Sequence, residues 1–465
     1  MNIRTKELSK LGYTNNISRS LAVTIINKHC KHSPKEEIIS ILTDLLAYPE
    51  KYKNNTTWSK LANHFAPDTN NRSFSVYNLL DEPLGYKTYG GKYIETLAKQ
   101  QMAMAMRLPV TIGGALMPDA HAGYGLPIGG VLAIENAVIP YAVGMDIGCR
   151  MSLTLFDAKV SFLQRYGYQI KEALKNYTHF GMEGGLPFAQ EHDVLDRKEF
   201  EETPLLKQLH GKTVRQLGTS GGGNHFVEFG EIELIENNVL NLPAGDYVAL
   251  LSHSGSRGLG AAIARHYSNL AREVCRLPRE AQHFAWLNLD GEAGQEYWMS
   301  MNLAGDFAKA CHERIHNNLG KALGLKAVAN VNNHHNFAWR EEISPGRYAI
   351  VHRKGATPAG KRIAGFIPGS MATTGYLVCG KGNPESLNSA SHGAGRAMSR
   401  QNAREQFTQS SLRKILSQKG VNLIGGSTEE SPLAYKDIER IMTAQESLVN
   451  IHGRFTPKIV RMNKE

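Results

Sequence analysis

Residues 144–149 read GMDIGC. They place a carboxylate, Asp146, three positions before a thiol, Cys149, and glycines lie at positions 144 and 148 on either side of the carboxylate. A cysteine that only packs in a core needs neither the carboxylate nor the glycines, whereas a metal site can use all of them. A thiolate can also bridge two ions, which would account for one cysteine beside one carboxylate. The stretch indicates either a metal site or a small buried hydrophobic residue, and other ligands must decide between them.

Three further glycine-rich stretches each carry a histidine. His225 lies in GTSGGGNHFVE, His253 in SHSGSRG and His335 in NNHHNF. With the carboxylate and the thiol they form a mixed oxygen, nitrogen and sulfur set, which suits a borderline divalent transition metal better than calcium or magnesium. Zinc and manganese both fit such a set. Because adjacent residues point in different directions, only one of His334 and His335 is expected to be a ligand.

The histidine of SHGAGR, His392, has a different setting, with small residues and Arg396 around it. A neutral imidazole with open space and a guanidinium nearby can attack a phosphorus centre. Arg396, together with Arg353 and Lys354 of HRKGA, can hold phosphate oxygens. Two other roles for His392, a further metal-site histidine or a structural residue of the loop, fit the same spacing and stay open at this point.

The composition bounds the kind of protein that carries these residues. The chain has 465 residues, 42% of them hydrophobic and 21% charged, enough for a large domain with or without a smaller one. Its net charge of +10 favours polyanionic partners such as nucleic acid, although only weakly. The five cysteines include no CxxC and do not form a disulfide pattern. No apolar leader and no run of roughly 20 apolar residues is seen, so a cytoplasmic protein without a membrane partner is expected.

Two regions of different character are expected to position the chemical residues. Residues 1–80 read as helices; Ser33-Pro34-Lys35-Glu36 predicts a capped helix start, and the segment 66–74, APDTNNRSF, is typical of a linker. From residue 81 onward glycine is dense, and short β-rich runs alternate with amphipathic segments. The sequence therefore predicts an N-terminal helical extension, 1–80, followed by an α/β (α+β) domain, 81–465, with functional loops.

Taken in order, the motifs GMDIGC, GGGNHFVE, HSGSRG, HHN, HRKGA, PGSM, SHGAGR and AYKDI resemble the RtcB family of RNA ligases. The resemblance extends over most of the region after the N-terminal helices. It implies the fold of that family, with a deep metal-containing cleft. It also implies an enzyme that joins RNA ends bearing a 3′-phosphate or a 2′,3′-cyclic phosphate to 5′-hydroxyl ends. The cofactors implied are GTP and two manganese ions, with zinc as an alternative occupant.

The resemblance also implies roles for individual residues. His392 is the implied nucleophile, which takes up GMP from GTP and passes it to the RNA 3′-phosphate. Cys149 is the implied bridging ligand. The implied metal ligands are Asp146, Cys149, His225, His253 and His335. The implied nucleotide contacts are Asn224, Glu228, Ser370, Arg396 and Tyr435. The implied substrate contacts are Arg353 and Lys354.

Two positions depart from the usual pattern of the family. Arg150 follows Cys149 where glycine is usual, and its guanidinium is expected to point away from the metal site or to meet substrate phosphate. The chain ends TPKIVRMNKE, with Met462 where a lysine that contacts guanine is usual. The cations that could replace this lysine by a small shift are Lys464, Arg461 and Lys458.

These departures leave a second function open, a metal-dependent phosphohydrolase that opens cyclic phosphates at RNA ends without ligation. A third, a non-catalytic RNA-binding or translation-associated protein, would not need a thiolate-bridged site. The leading hypothesis is a GTP-dependent ligase of RNA repair or tRNA maturation. The N-terminal helices suggest a special substrate or partner for it, and no motif indicates an activating protein.

Overall fold

The computed structural model describes residues 5–13, 16–30, 33–65, 74–181 and 185–463. Its contacts divide the chain into two units, Met1–Ser73 and Phe74–Glu465. Most of the predicted linker, residues 66–73, lies outside the described residues. The helices and β-rich segments expected from the sequence are present, so the prediction of an α/β (α+β) fold is confirmed.

The first unit has a small apolar core of its own. Its helices are α1 (Thr5–Leu11), α2 (Asn16–His29), α3 (Lys35–Ala47) and α4 (Ser59–Phe65). The helical stripe of α3 buries Leu42 and Leu45 completely, and Tyr13 donates a hydrogen bond to the Leu42 carbonyl at 3.0 Å. The expected cap at Ser33 was wrong. The helix begins at Lys35, and Pro34, which precedes it, makes no side-chain cap hydrogen bond.

The second unit alternates helices and strands. Its helices are α5 (Thr96–Ala105), α6 (Pro140–Val143), α7 (Ser161–Arg165), α8 (Gly167–Tyr177), α9 (Pro204–Gln216), α10 (Arg257–Val274), α11 (Glu292–Leu323), α12 (Arg400–Gln406), α13 (Gln409–Gln418) and α14 (Ile438–Thr443). Its first strands are β1 (Ser75–Val76), β2 (Lys87–Thr88), β3 (Thr111–His121), β4 (Ile128–Ile134), β5 (Ala137–Val138), β6 (Arg150–Phe156), β7 (Phe226–Leu234), β8 (Gly245–Ser254), β9 (Cys275–Arg276) and β10 (Leu287–Asn288). The remaining strands are β11 (Ala327–His334), β12 (Asn336–Ser344), β13 (Arg347–Lys354), β14 (Ala356–Pro358), β15 (Ala364–Ile367), β16 (Gly375–Gly380), β17 (Ser389–Ser391), β18 (Asn422–Ile424) and β19 (Val449–Met462).

The largest sheet of the described residues has the strand order β11-β6-β8-β7-β19-β16-β15, with β18 beside β19. Strands β11, β6, β8, β7 and β19 are antiparallel to their neighbours along this path. Antiparallel pairing places the start of one strand beside the end of the next. The starts of β6 and β7 and the ends of β8 and β11 therefore meet at one edge of the sheet.

A second sheet, β12-β13-β4-β3-β2, and the short pair β14-β17 complete the surroundings of the site. In the short pair Ala356 lies opposite Ser391, which brings the SHGAGR loop beside the end of HRKGA.

The 32-residue helix α11 packs against α10, α8 and strands β6 and β8. Its buried residues recur at helical spacing, among them Tyr297, Met301, Ala304, Ala308 and Cys311. Gly324, with φ at +64°, ends the helix in the left-handed conformation that glycine adopts without strain. No helix in the described part of the chain is long and apolar enough to cross a membrane.

Candidate metal centre and nucleophile

The edge where four strand ends meet carries the predicted metal ligands. Cys149 directly precedes β6, His225 directly precedes β7, and His335 directly follows β11. His253 lies near the end of β8, where it pairs with Phe226 of β7 and with Met151 of β6. The strand register thus gathers side chains that are far apart in the sequence.

Backbone hydrogen bonds hold the GMDIGC turn against the end of β11. The N–H of His335 donates to the Cys149 carbonyl at 2.9 Å, and the N–H of Gly148 donates to the Asn336 carbonyl at 2.8 Å. Gly148 has φ at +70°, and a Cβ there would lie 2.8 Å from the Gly305 Cα. Only glycine fits this turn without displacing α11, which explains the second of the two glycines in GMDIGC.

The five predicted ligands form two triads that share the thiol. One consists of Cys149, His253 and His335, and the other of Asp146, Cys149 and His225; in each, one donor atom per residue lies within 4.8 Å of the others. The Cys149 sulfur is 3.2 Å from Nε2 of His253 and 3.4 Å from Nε2 of His225. Each triad offers donors that could hold a metal ion, and Cys149 is common to both.

Hydrogen bonds and burial set the protonation of these donors. Nδ1 of His253 donates to the Asn224 carbonyl at 3.0 Å, which leaves Nε2 with its lone pair toward the thiol. Burial lowers the pKa of His253 to about 3 and also lowers that of His335, so both imidazoles are neutral, as metal ligation requires. Burial, followed by the nearby Asp146 carboxylate, raises the pKa of the Cys149 thiol. Without a cation the sulfur keeps its proton.

Of the two adjacent histidines, only His335 reaches the donor cluster. Its Nε2 is 3.2 Å from Nε2 of His253. The His334 ring instead stacks on Trp339, with ring centroids 4.9 Å apart and planes 1° apart. This separation follows from the position of His334 on β11 and of His335 just after it.

His392 is held by a carboxylate that the sequence reasoning missed. Nδ1 of His392 donates to Oδ2 of Asp119 at 2.7 Å, and the backbone N–H of His392 donates to the same oxygen at 3.2 Å. Nε2 is therefore the ring nitrogen that keeps its lone pair. Burial alone would raise the pKa of Asp119, but the hydrogen bond and charge of His392 outweigh it and lower the pKa. Asp119 lies in MPDAHAGYG, and its glycine-rich setting was the only signal in the sequence.

One cavity of about 880 Å³ joins His392 to both triads. The ring centroids of His392 and His335 are 5.0 Å apart. The cavity wall includes each predicted nucleotide contact: Asn224, Glu228, Ser370, Arg396 and Tyr435. Burial raises the pKa of Glu228 to about 8, so at neutral pH its carboxyl is mostly protonated and can donate a hydrogen bond.

Comparisons with known proteins identify the family. The family model described as tRNA-splicing ligase RtcB matches residues 101–208 and 186–463. The RNA-splicing ligase RtcB of Escherichia coli strain K12 is 30% identical over 396 residues, which cover 78% of this chain and 93% of the relative. The tRNA-splicing ligase RtcB of Nanoarchaeum equitans is 30% identical over 423 residues, 74% of this chain and 87% of the relative. This chain belongs to the RtcB family of RNA ligases. The residues matched by the RtcB model begin after the N-terminal helices.

The RtcB resemblance had assigned Arg353 to the substrate, and its position argues against that role. Arg353 is fully buried and does not line the cavity. Its guanidinium forms two hydrogen bonds with the Glu341 carboxylate, at 2.6 and 2.8 Å, and a third with Ser389 Oγ at 2.8 Å. Because every side of the guanidinium already has a partner, Arg353 joins β13 to β12 and to β17, the strand that leads into SHGAGR.

Lys354 and Arg396 are also engaged with the protein. Lys354 is buried outside the cavity wall, and its Nζ donates to the Tyr124 carbonyl. Burial lowers the pKa of Lys354 to about 7. Arg396 lines the cavity, but its guanidinium donates to the Glu429 carbonyl at 2.7 Å and faces the Glu430 carboxylate at 3.4 Å. Tyr435 donates its hydroxyl hydrogen to the same Glu430 carboxylate.

Arg150, which replaces the glycine usual in RtcB proteins, points away from the metal donors. Its guanidinium donates to the Gly305 carbonyl at 2.8 Å and to Asn332 Oδ1 at 2.9 Å, and it does not line the cavity. Burial lowers the pKa of Arg150 to about 10, so the side chain still carries its charge at neutral pH. Arg150 therefore fastens β6 to α11 and β11 without entering the site.

Met462, where a lysine is usual in the family, is buried at the end of β19 and lines the cavity. Two of the cations that could have replaced this lysine have other partners outside the cavity wall. Lys458 pairs with Glu231 at 2.8 Å, and the Arg461 guanidinium donates to the Thr178 carbonyl at 3.3 Å. Lys464 lies outside the described residues.

Proposed function

We propose that this chain is a GTP- and manganese-dependent ligase that joins RNA ends with a 3′-phosphate or a 2′,3′-cyclic phosphate to 5′-hydroxyl ends. The proposal places this activity in RNA repair or tRNA maturation. The observation that carries it is His392, which is held by the buried Asp119 and lies in the same cavity as two donor triads that share Cys149. A nucleophile beside a candidate two-ion centre suits phosphoryl chemistry on a nucleotide and on an RNA end.

In the first step Nε2 of His392 forms a bond to the α-phosphorus of GTP while the bond to pyrophosphate breaks. The electron pair of the broken bond leaves with pyrophosphate. Asp119 holds the proton on Nδ1 and stabilises the positive charge that develops on the ring. Asp119 thus keeps the ring in the tautomer and orientation that the attack requires.

In the second step an oxygen of the RNA 3′-phosphate attacks the phosphorus of the GMP on His392, and the imidazole leaves with the electron pair of the P–N bond. The 5′-hydroxyl oxygen of the second RNA end then attacks the 3′-phosphate, and GMP and one proton are released. A 2′,3′-cyclic phosphate must first be opened by water to give the 3′-phosphate.

The donor set carries the proposal for the metal. Asp146, Cys149, His225, His253 and His335 would hold two divalent ions, for which we propose manganese, with zinc as the alternative that the same ligands accept. When bound, such ions neutralise charge on phosphate oxygens. Burial lowers the pKa of His253 and of His335, which keeps these two imidazoles neutral and available.

Incubation with manganese and α-labelled GTP tests the function. An acid-labile label on the protein, followed by ligation of RNA ends on addition of a 3′-phosphate strand and a 5′-hydroxyl strand, is expected. Opening of a cyclic phosphate with neither label nor ligation, under any divalent ion, would instead identify a phosphohydrolase. Met462 in the cavity wall is the observation that favours testing this second function.

The Asp119→Asn variant is expected to slow protein labelling roughly 10²-fold or more, because an amide does not stabilise the charged imidazole. Metal content should stay unchanged, since Asp119 belongs to neither triad. Single-turnover labelling at several pH values measures the effect. An unchanged labelling rate would show that Asp119 does not support the nucleophile.

The Met462→Lys variant is expected to lower the KM for GTP about tenfold, the value of one charge-assisted hydrogen bond to the base. Labelling at varied GTP concentration measures it. The Lys458→Met variant is a control, because Lys458 lies outside the cavity wall and pairs with Glu231. If Met462→Lys leaves or raises the KM for GTP, this end of the cavity does not receive the base.

For the domains we propose that the helical region up to residue 80 modifies substrate choice and that residues 81–465 carry catalysis. The truncation is best made after Ser73, because β1 pairs with β9 and the N–H of Tyr77 donates to the Arg276 carbonyl at 3.0 Å. The truncated protein is expected to keep His392 labelling and to change its preference among RNA ends. Loss of labelling would contradict this division of roles.

A further inference from the structure

Ala122, Gly123 and Tyr124, in the AGYGLP loop of residues 122–125, are each fastened by hydrogen bonds to groups from elsewhere in the fold. The N–H of Ala122 donates to Oε1 of Glu95 at 2.5 Å. The N–H of Gly123 donates to Oε1 of Gln101 at 3.1 Å, and the same amide side chain donates back to the Gly123 carbonyl. This two-way contact fixes the peptide in one orientation.

The second half of the loop has one such hydrogen bond, at Tyr124, and one position, Gly125, that favours glycine. The carbonyl of Tyr124 accepts a hydrogen bond from Nζ of Lys354, a buried amine. Gly125 has φ at +69°, and a Cβ there would lie 3.2 Å from His283 and 3.3 Å from Tyr141, whose rings stack with centroids 4.8 Å apart. The backbone of the loop therefore has little freedom.

Unlike this fixed backbone, the side chain of Tyr124 is exposed to solvent. It is 74% exposed, the highest value among the large hydrophobic side chains of the described residues, and it lines the cavity that contains His392. No hydrogen bond or ring contact of this side chain with another described residue is seen. A buried lysine and a glutamine that makes two hydrogen bonds thus fix the backbone that carries this exposed ring at the edge of the cavity.

Such a ring suits an unpaired nucleobase. RNA ends and single strands are bound largely by stacking of bases on exposed aromatic side chains, which is tolerant of sequence. Because the backbone that carries the ring is fixed before binding, stacking costs only the rotational freedom of the side chain and not that of the loop. The exposed Arg400 guanidinium also lines the cavity; its Nε is 3.8 Å from the Glu430 carboxylate, and its exposed side can meet an RNA backbone.

We propose that the Tyr124 ring is the stacking platform for an unpaired nucleobase of the RNA end. The inference rests on the proposed function, because it takes RNA as the substrate of this cavity. It assigns the loop 122–125 and its fastening residues to substrate positioning, with Lys354 acting through the Tyr124 carbonyl.

The Tyr124→Ala variant of the full-length chain tests the proposal. Its KM for RNA is expected to rise roughly 5- to 150-fold, the range of one lost base–aromatic stack. Its kcat at saturating RNA should change less than about threefold, because the ring contributes to binding and not to bond making. The Tyr124→Phe and Tyr124→Trp variants should keep the wild-type KM, since stacking needs the ring and not the hydroxyl.

Two RNAs with 2-aminopurine as the last base, one at the 3′-phosphate end and one at the 5′-hydroxyl end, report stacking directly. The wild-type protein should quench the 2-aminopurine fluorescence of at least one of these RNAs, and the Tyr124→Ala variant should not. The Tyr168→Ala variant is the matched control, because Tyr168 is 73% exposed and does not line the cavity. It should behave as wild type.

Any of three results would contradict the stacking role of Tyr124. They are an unchanged KM for RNA in Tyr124→Ala, a KM for RNA in Tyr124→Phe as high as in Tyr124→Ala, and no quenching of either probe by the wild-type protein. A loss of labelling by GTP with unchanged RNA binding would assign the ring to the nucleotide instead. Since probe quenching needs no GTP, failure of the platform is distinguishable from failure of His392 to take up GMP.

Discussion

The His392→Ala variant is expected to lose labelling by α-labelled GTP, by at least about 10⁴-fold, the order of effect seen when a catalytic nucleophile is removed. Alanine offers no atom that can bond to phosphorus, and no other described histidine both lines the cavity and donates Nδ1–H to a carboxylate. Metal content should equal that of wild type, because His392 belongs to neither triad. The measurements are the radioactivity that stays on the protein after denaturation without acid, its release by acid, and elemental analysis of the same preparation.

A matched control is the His266→Ala variant, since His266 is exposed on α10 and lies outside the cavity wall. It should label as wild type does. Full labelling of His392→Ala would assign the nucleophile to another residue. Loss of metal together with labelling would instead assign His392 to the metal centre, the alternative that the sequence alone left open.

The Cys149→Ala variant is expected to lose both bound metal and ligation. Both triads share this sulfur, so its removal takes one donor from each site at once. Substitution of groups that only orient a ligand costs about 10- to 100-fold in metal affinity, and loss of a shared ligand should cost more than about 100-fold. Titration with manganese and with zinc measures this loss.

The same variant should also change how metal affinity depends on pH. In wild type the buried thiol has a raised pKa, so binding must release its proton, and affinity should increase as pH rises. The buried imidazoles of His253 and His335 have lowered pKa values and release no proton near neutral pH. Cys149→Ala should therefore show a flatter dependence above neutral pH.

The Cys275→Ala variant is the control for burial alone, because Cys275 is buried and belongs to neither triad. Its metal content and ligation should match wild type. If Cys149→Ala keeps full metal and activity, the bridging role assigned to the sulfur is wrong.

The residue types of the donor set could be predicted from the sequence because only a few kinds of side chain bind metal ions. The pairing of Asp119 with His392 could not, since 273 residues separate them and only the contact between β3 and the SHGAGR loop joins them. Arg353 was misjudged for a related reason. Its strand β13 is buried along six consecutive residues, so alternation gives no sign of which side chains face the cavity.

The helix start at residue 35 was misplaced by local reasoning of the same kind. Ser33 and Glu36 have the spacing of a capping box, yet the chain enters the helix through Pro34. A motif of this length specifies only a local preference for where a helix begins.

The strand register that gathers the donors also sets an order of assembly during synthesis. The triad of Asp146, Cys149 and His225 is complete in sequence once β7 has been made, whereas the other triad waits for His335, more than a hundred residues later. Backbone hydrogen bonds to His335 and Asn336 hold the turn that carries Cys149, so a nascent chain that ends before β11 lacks the contacts that fix this turn. Neither triad therefore reaches its final geometry on the ribosome until residues 335 and 336 have been made.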